Sequence, residues 1–285
     1  MGRPVPRSVP TRLVPVPDAP ALLLEPDRRD APRTLVIADV HLGLGGTLER
    51  PGGPPEGSAD RLADQLIALV KSTGTEEVLI AGDAKHPIVG TPPTLRPVVF
   101  GFFARILSDD VRVGLVLGNH DVGIVPHLPR EVDVFPVGGT VRDGVGIFHG
   151  HAWPSNSVLR ASRLVAGHLH PGFRLAPTAA DPDGKRRCWV RVEREPEPAR
   201  PVRRRRHADV SAREIVVVPA FNPVAGTESL NRDRPARGRS FLYGRFLSRG
   251  VARAYLLDGT DLGPLPIPKT SASAPPGATR AHRGR

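Results

Sequence analysis

Cysteine is nearly absent: one, Cys188, in 285 residues. No internal disulfide can form and no cysteine-based zinc site is available, so any metal must sit on histidines and carboxylates. Aromatic residues make up only 5% of the chain, and none lies among the arginines of residues 193–212, which leaves base stacking on that segment unsupported. No run approaches the ~18 consecutive apolar residues of a membrane helix, and the first twenty residues lack the ~7–15 residue apolar core of a secretion signal. These absences predict a cytoplasmic protein with no membrane partner. The 30 glycines and 33 prolines follow no fixed period, which excludes a collagen-like chain.

What is present begins with 39% hydrophobic residues, enough to build a core in a chain of this length. The formal net charge of +11 is unevenly spread. Residues 35–170 hold 11 Lys+Arg against 14 Asp+Glu, whereas residues 185–206 hold 10 against 3 and residues 232–253 hold 7 against 1. The basic charge therefore belongs to the C-terminal third, and the first two thirds are mildly acidic and rich in histidine.

Short β-branched runs alternate with helical spacing in the first half. Residues 21–25, 34–38, 77–81 and 113–117 read as strands. Ser58 is placed to cap a helix carrying Leu62, Leu66, Leu69 and Val70 that ends before Gly74, and residues 95–107 form a second apolar-faced helix. This β-α-β-α-β order predicts an α/β fold with parallel strands there. From Glu131 onward the elements are short strands at 131–135, 145–148, 164–166, 188–192, 215–218 and 254–257, which predicts a mixed or antiparallel second sheet. Residues 1–20 read as a mobile Pro/Arg-rich arm, residues 21–265 as one domain with a disordered basic insertion near 193–212, and residues 266–285 as a disordered tail.

Polar residues recur at the predicted strand ends in an ordered series. It runs Asp39-Val40-His41, Gly82-Asp83, Gly118-Asn119-His120-Asp121, His149-Gly150-His151 and Gly167-His168-Leu169-His170. Ligand sites in open α/β sheets lie beyond the carboxyl ends of strands, so these five clusters are expected to converge on one crevice. Any one of them alone reads equally well as a strand-end loop. Carboxylate oxygens, imidazole nitrogens and an amide oxygen together suit borderline divalent metals such as manganese, zinc or iron, and a pair of ions ~3.5–4 Å apart needs a bridging carboxylate. Asp83, after a glycine that admits close backbone approach, is the candidate bridge. Two such ions activate a shared water and clamp the oxygens of a phosphorus centre, so phosphate ester hydrolysis is the reaction that uses the whole set.

The series D-x-H, GD, GNHD, HGH and GHLH resembles the calcineurin-like metallophosphoesterase superfamily over residues 35–171. The resemblance implies a four-layer α/β sandwich, two packed mixed β-sheets flanked by helices. It also implies a dinuclear metal-dependent phosphoesterase with two divalent ions, manganese first and zinc or iron as alternatives. Asp39, His41, Asp83 and His170 would hold one ion, and Asp83, Asn119, His149 and His168 the other. His120 would stand beside the leaving group with Asp121 orienting its ring, and His151 would touch phosphate at the rim. Gly82-Asp83-Ala84-Lys85-His86 and Val218-Pro219-Ala220-Phe221-Asn222-Pro223 look like a small archaeal-type branch that is similar to bacterial phosphoesterases encoded with DNA ligase. Lys85 and His86 then read as phosphate contacts, as supports behind the metal ligands, or as a solvated pair. Asn222 reads as a second supporting residue or as part of a fixed turn.

The implied substrate is a phosphodiester, nucleic acid or nucleotide, with a phosphomonoester as the alternative. A non-catalytic scaffold that keeps the pocket is the rival from another class. The arginines at 203–206 and 232–239 depart from the family pattern. They read either as an electrostatic arm for nucleic acid or as drift in a chain whose cations are 36 Arg and 4 Lys.

Overall fold

The computed structural model describes residues 11–28, 31–44, 58–108, 110–177, 183–194, 210–231 and 250–265. Two sheets stack face to face. The first holds β1 (Arg12–Pro15), β2 (Leu22–Glu25), β3 (Thr34–Ile37), β4 (Glu77–Ile80), β5 (Arg112–Val116) and β6 (Asp133–Phe135), side by side in sequence order. Strands β3 to β6 are parallel, and β1 and β2 form an antiparallel edge.

The parallel order requires crossovers, and α1 (Ala59–Thr73) and α2 (Arg96–Leu107) supply two of them. Ser58 caps α1, its hydroxyl accepting from the Arg61 N–H, and Gly74 ends the helix in the left-handed conformation at φ 61°. Leu62, Ala63, Leu66 and Val70 of α1 and Val99, Phe102, Phe103 and Ile106 of α2 then pack on the outer side of the sheet.

The second sheet holds β7 (Thr140–Arg142), β8 (Val145–Phe148), β9 (Arg163–Ala166), β10 (Pro171–Arg174), β11 (Lys185–Glu193), β12 (Glu214–Val217), β13 (Glu228–Ser229), β14 (Val251–Leu256) and β15 (Asp261–Pro264). Its order is β13-β10-β11-β12-β9-β8-β7, with β14 also paired to β11 and β15 to β14. It is mixed: β8, β9 and β12 run parallel and the remaining main pairings are antiparallel apart from β10 with β13.

Strand alternation makes both faces apolar. Leu35, Ile37, Val78 and Ile80 face the helices, while Val36, Ala38, Leu79 and Ala81 face the second sheet and meet Val145, Ile147, Val165, Trp189, Val216 and Val218 there. The far face of the second sheet packs Leu164, Ala166, Val190, Ile215 and Val217 against Val158 and Leu159 of α3 (Asn156–Leu159). Two mixed sheets between helical layers are thus observed, and among the described residues the fourth layer is this single turn.

Three expectations are corrected. The arm of residues 1–20 is not free to its end, because Arg12–Pro15 is β1, held antiparallel to β2 with Leu13 facing Leu24 and Val14 facing Leu23. Residues 1–10 lie outside the described residues. The strand read at 131–135 joins the first sheet, not the second, since β6 pairs parallel to β5. Strands β7, β10, β13 and β15 carry Pro, Gly or charge in place of an apolar run, which hid them. The expected basic insertion starts inside β11, and its residues 195–209, the arginines at 203–206 among them, lie outside the described residues, as do 232–249 and the tail from 266. Among the described residues no helix is long and apolar enough to cross a membrane.

Candidate metal centre

Beyond the carboxyl ends of β3, β4, β5, β8 and β9 the chain does not splay into separate loops. It continues a ladder: His41 N–H donates to Asp83 O (2.9 Å) and Leu42 N–H to Ala84 O (2.8 Å). The third strand end joins through His120 N–H to Asp83 Oδ1 (2.9 Å), and the fifth through His168 N–H to Asp39 Oδ2 (3.0 Å). Asp39, His41, Asp83, His168 and His170 all sit at positive φ, between 42° and 71°. Left-handed backbone costs a non-glycine residue of order 1 kcal/mol or more, and surroundings this tightly bonded hold it there. Each such residue turns its side chain back toward the common crevice.

Two glycines make the convergence possible. A Cβ on Gly118 would lie 2.2 Å from Asp83 Oδ1, and a Cβ on Gly82 would lie 2.3 Å from His149 Nδ1. Any side chain at either position would displace the group it faces.

Three groups of potential donors assemble here, within each of which the donor atoms lie within 4.8 Å of one another: Asp39, His41 and His170; Asp83, His149 and His168; and His41, His86 and His120. The first two, which contain the carboxylates, form two adjoining sets. The Nε2 atoms of His41 and His170 face each other at 3.1 Å, with Asp39 Oδ1 3.3 Å from His170 Nε2. Asp83 Oδ2 stands between the sets, 3.1 Å from His149 Nε2 and 3.8 Å from His41 Nε2. Backbone carbonyls fix the ring orientations: Ala81 O meets His149 Nδ1 at 2.8 Å and Ala225 O meets His170 Nδ1 at 3.2 Å, which turns both Nε2 atoms to the centre. Asn119 lies between the two residues that anchor its loop, and its Oδ1 is buried with no hydrogen-bond partner. Buried acceptors of this kind are ordinarily satisfied. An amide oxygen without a donor, two imidazole nitrogens face to face and a carboxylate oxygen shared by both sets together make a donor set that fits divalent cations.

The electrostatics point the same way. Burial opposes charge on His149, but the carboxylates of Asp83 and Asp39 outweigh it and push the imidazole up to about 9. Burial would raise Asp83, yet His149 and the His120 N–H hold it well below the carboxylate range. Asp39 is lowered likewise, by His170 and His149 against its own burial. His41, His168 and His151 fall to about 4, burial being the main cause, with neighbouring imidazoles adding to it. In the metal-free protein a proton on His149 stands where positive charge is wanted, and His170 is raised in the same direction by Asp39 against its own burial. Buried Cys188, its thiol pushed up to about 12, stays a neutral core residue.

The remaining expected residues surround this centre. His120 packs against His41 at 4.8 Å and against His86 at 5.6 Å between ring centroids. His151 is half-buried, its ring 5.3 Å from that of His149. Asp121 does not orient the His120 ring, contrary to expectation. Its carboxylate accepts the N–H groups of Gly118, Asp83, Ala84 and Lys85, while His120 Nδ1 is partnered by the His86 carbonyl. A buried carboxylate collecting four amides clamps the Asp83 loop to the His120 loop. Lys85 is fully buried, and its ammonium donates to the carbonyls of Pro87 and His120. Asn222 donates from Nδ2 to Val40 O (2.9 Å) and Phe221 N–H reaches Ala38 O (2.8 Å), so residues 219–225 brace the Asp39 turn. Arg187 was missed by sequence reading; it donates to Ala220 O and Phe221 O, and nothing in a basic run distinguishes it.

Residues 32–255 match the model of the calcineurin-like phosphoesterase family. Among solved structures, that of the Pseudomonas putida nuclease MPE is similar, with 18% identity over 88% of this chain and 100% of that one, at a TM-score of 0.49. No curated protein matches.

Proposed function

Because the chain belongs to the calcineurin-like phosphoesterase family, and is therefore a metal-dependent hydrolase of phosphate esters, we propose that it cleaves phosphodiesters of nucleic acid or nucleotides at a dinuclear centre. The observation that carries the reading is Asp83 Oδ2, aimed at both ligand sets from 3.1 Å and 3.8 Å. Asp39, His41 and His170 would hold one ion and Asn119, His149 and His168 the other, with Asp83 shared. Manganese is the first candidate, zinc or iron the next. Two such ions, when bound, would activate a water and neutralise charge on the phosphate.

The chain's own groups do the rest. Asp83 holds the sets together, and its second oxygen, bonded to His120 N–H, fixes the side chain. His120 presents Nε2 3.9 Å from Asp83 Oδ2 and would meet the leaving oxygen there, donating a proton or a hydrogen bond. The His86 carbonyl at Nδ1 sets its tautomer, and stacked His86 holds the ring in place. His151 would contact the phosphate. The basic C-terminal third, Lys185 and Arg186 included, supports a polyanionic substrate over a small monoester.

Hydrolysis of a chromogenic phosphodiester and the matching monoester by metal-stripped protein, with manganese, zinc, iron or magnesium restored, tests the reading beside an Asp83→Asn control. Metal-restored turnover that favours the diester and is absent from the control is expected. A preference for the monoester would reverse the substrate class.

A further inference from the structure

Next to the imidazole cluster, on the His120 side, the surface turns apolar. Ile88 is 54% exposed, Val89 87% and Val122 59%. Each lies within three residues of His86 or His120. Their two loops are braced against each other: Thr91 Oγ1 donates to Gly123 O (2.9 Å), a Cβ on Gly123 would meet Gly90 Cα at 3.4 Å, and Lys85 ties Pro87 to His120. Single exposed aliphatics are ordinary; three branched ones on two braced loops at the edge of a hydrolytic centre form a contact surface.

Charge decides what it contacts. Within the two loops the one cation, Lys85, is committed to buried carbonyls, and Arg96, at the start of α2, is tied by its Nε to Thr91 O (3.1 Å). A strand leaving the centre in this direction therefore finds no ammonium from these loops for its next phosphate. It finds proline and isoleucine, side-chain types that wedge between base steps, with two valines widening the apolar rim. Taking His120 as the group at the leaving oxygen, as proposed above, we infer that Pro87, Ile88, Val89 and Val122 form a nucleobase rest that selects the nucleotide adjoining the scissile phosphate. The occupant is a base of a nucleic-acid strand, its face laid on the aliphatic rim while the phosphate sits at the metal centre. The patch lies on the loops that carry His86 and His120 and presents few side chains, which suits one base better than a protein partner.

The test uses the metal-loaded full chain and short single-stranded oligonucleotides that carry an abasic residue on one or the other side of the scissile phosphate. The wild type is expected to prefer the base-bearing strand over one of the abasic strands by about tenfold in kcat/KM, expressed in KM, the effect of covering roughly 50–60 Å² of apolar surface. Ile88→Ser/Val89→Ser/Val122→Ser is expected to abolish that preference and cleave every strand at the abasic rate. Val89→Ser alone, at a site open to solvent, is expected to show part of the effect with the fold undisturbed. A preference unchanged in the triple variant, or absent from the wild type on both sides, overturns the assignment. Equal loss on abasic and base-bearing strands overturns it too, since the rim would then serve the centre and not the base. Self-association of the wild type that the triple variant loses while keeping base preference would make the rim a contact between copies. Turnover of the small diester with no cleavage of any strand would remove the nucleic-acid reading itself, and the rest with it.

Discussion

Asp83 and Asp121 look alike in sequence, each an aspartate a few residues beyond the end of a buried strand, yet their carboxylates do opposite work. Asp83 keeps one oxygen free toward both imidazole sets, whereas Asp121 spends its carboxylate on four backbone amides. Asp83→Asn removes the shared negative charge without changing shape, so turnover is expected to fall by at least the order of 10²-fold, with far-ultraviolet circular dichroism unchanged. Asp121→Asn turns an amide NH2 toward N–H donors. Its expected signature is weakened metal binding, read by calorimetry, because Asp83 loses its clamp; full metal binding with turnover lost would restore the ring-orienting role. His120→Ala is expected to keep its metals and lose turnover by roughly 10²–10⁴-fold. Loss of both metals would contradict the role given to it.

Protonation follows the same residues. With metal removed, the His149 imidazole is raised to about 9, so its contribution to stability is full below its unfolded value near 6.5 and is lost as pH rises through about 9. His41, His168 and His151, lowered to about 4, contribute stability that is lost as pH falls from about 6.5 toward 4. The metal-stripped protein should therefore melt at its highest temperature near pH 6–7. Metal loading should flatten the alkaline limb, because the cation replaces the proton on His149. A melting temperature of the stripped protein that climbs steadily from pH 6 to 9 would contradict this.

At the scale of elements, the two sheets are joined at the end opposite the centre by one buried carboxylate. Glu77 of β4 accepts from Thr34 Oγ1 of β3 (2.8 Å) and from Arg142 Nε of β7 (2.9 Å). It is 3% exposed. Glu77→Ala leaves Arg142 and Thr34 without their acceptor at the sheet interface, and urea denaturation should show a loss of about 2–3 kcal/mol. Strands with continuous β-branched runs, β3, β4, β5, β8, β9 and β12, were legible because burial on both faces demands that composition. So was α1, whose Ser58 and Gly74 mark both ends. The ligand series was legible for a related reason: a buried strand end tolerates Asp or His only where something uses it. What could not be read depends on backbone. Strand β1 is held by ladder bonds and β6 by its neighbour β5, and the carbonyls that orient His149 and His170 belong to Ala81 and Ala225, residues with no chemistry of their own. Asp121 was misassigned because its partners are amides, which leave no mark in a sequence.

For the whole molecule, charge and chemistry occupy different parts of the chain. The histidine centre arises from residues 39–170, while the cations concentrate after residue 184. Arg194 N–H bonds Arg213 O (2.8 Å), so the ends flanking residues 195–209 are already adjacent in the β11–β12 pairing. Replacing 195–209 by a short turn is expected to leave turnover of a small diester within about twofold, and a fall in the salt dependence of single-strand binding would mark its arginines as phosphate contacts. A large loss on the small diester would mean that this segment shapes the centre.

The central claim is that two ions share Asp83. Manganese titration of metal-stripped protein, followed together by turnover and by electron paramagnetic resonance, tests it most directly. Activity should saturate at two equivalents per chain with the multiline spectrum of an exchange-coupled pair, and Asp83→Asn should abolish that coupling. Full activity at one equivalent, or two equivalents with the simple spectrum of isolated ions, would contradict it.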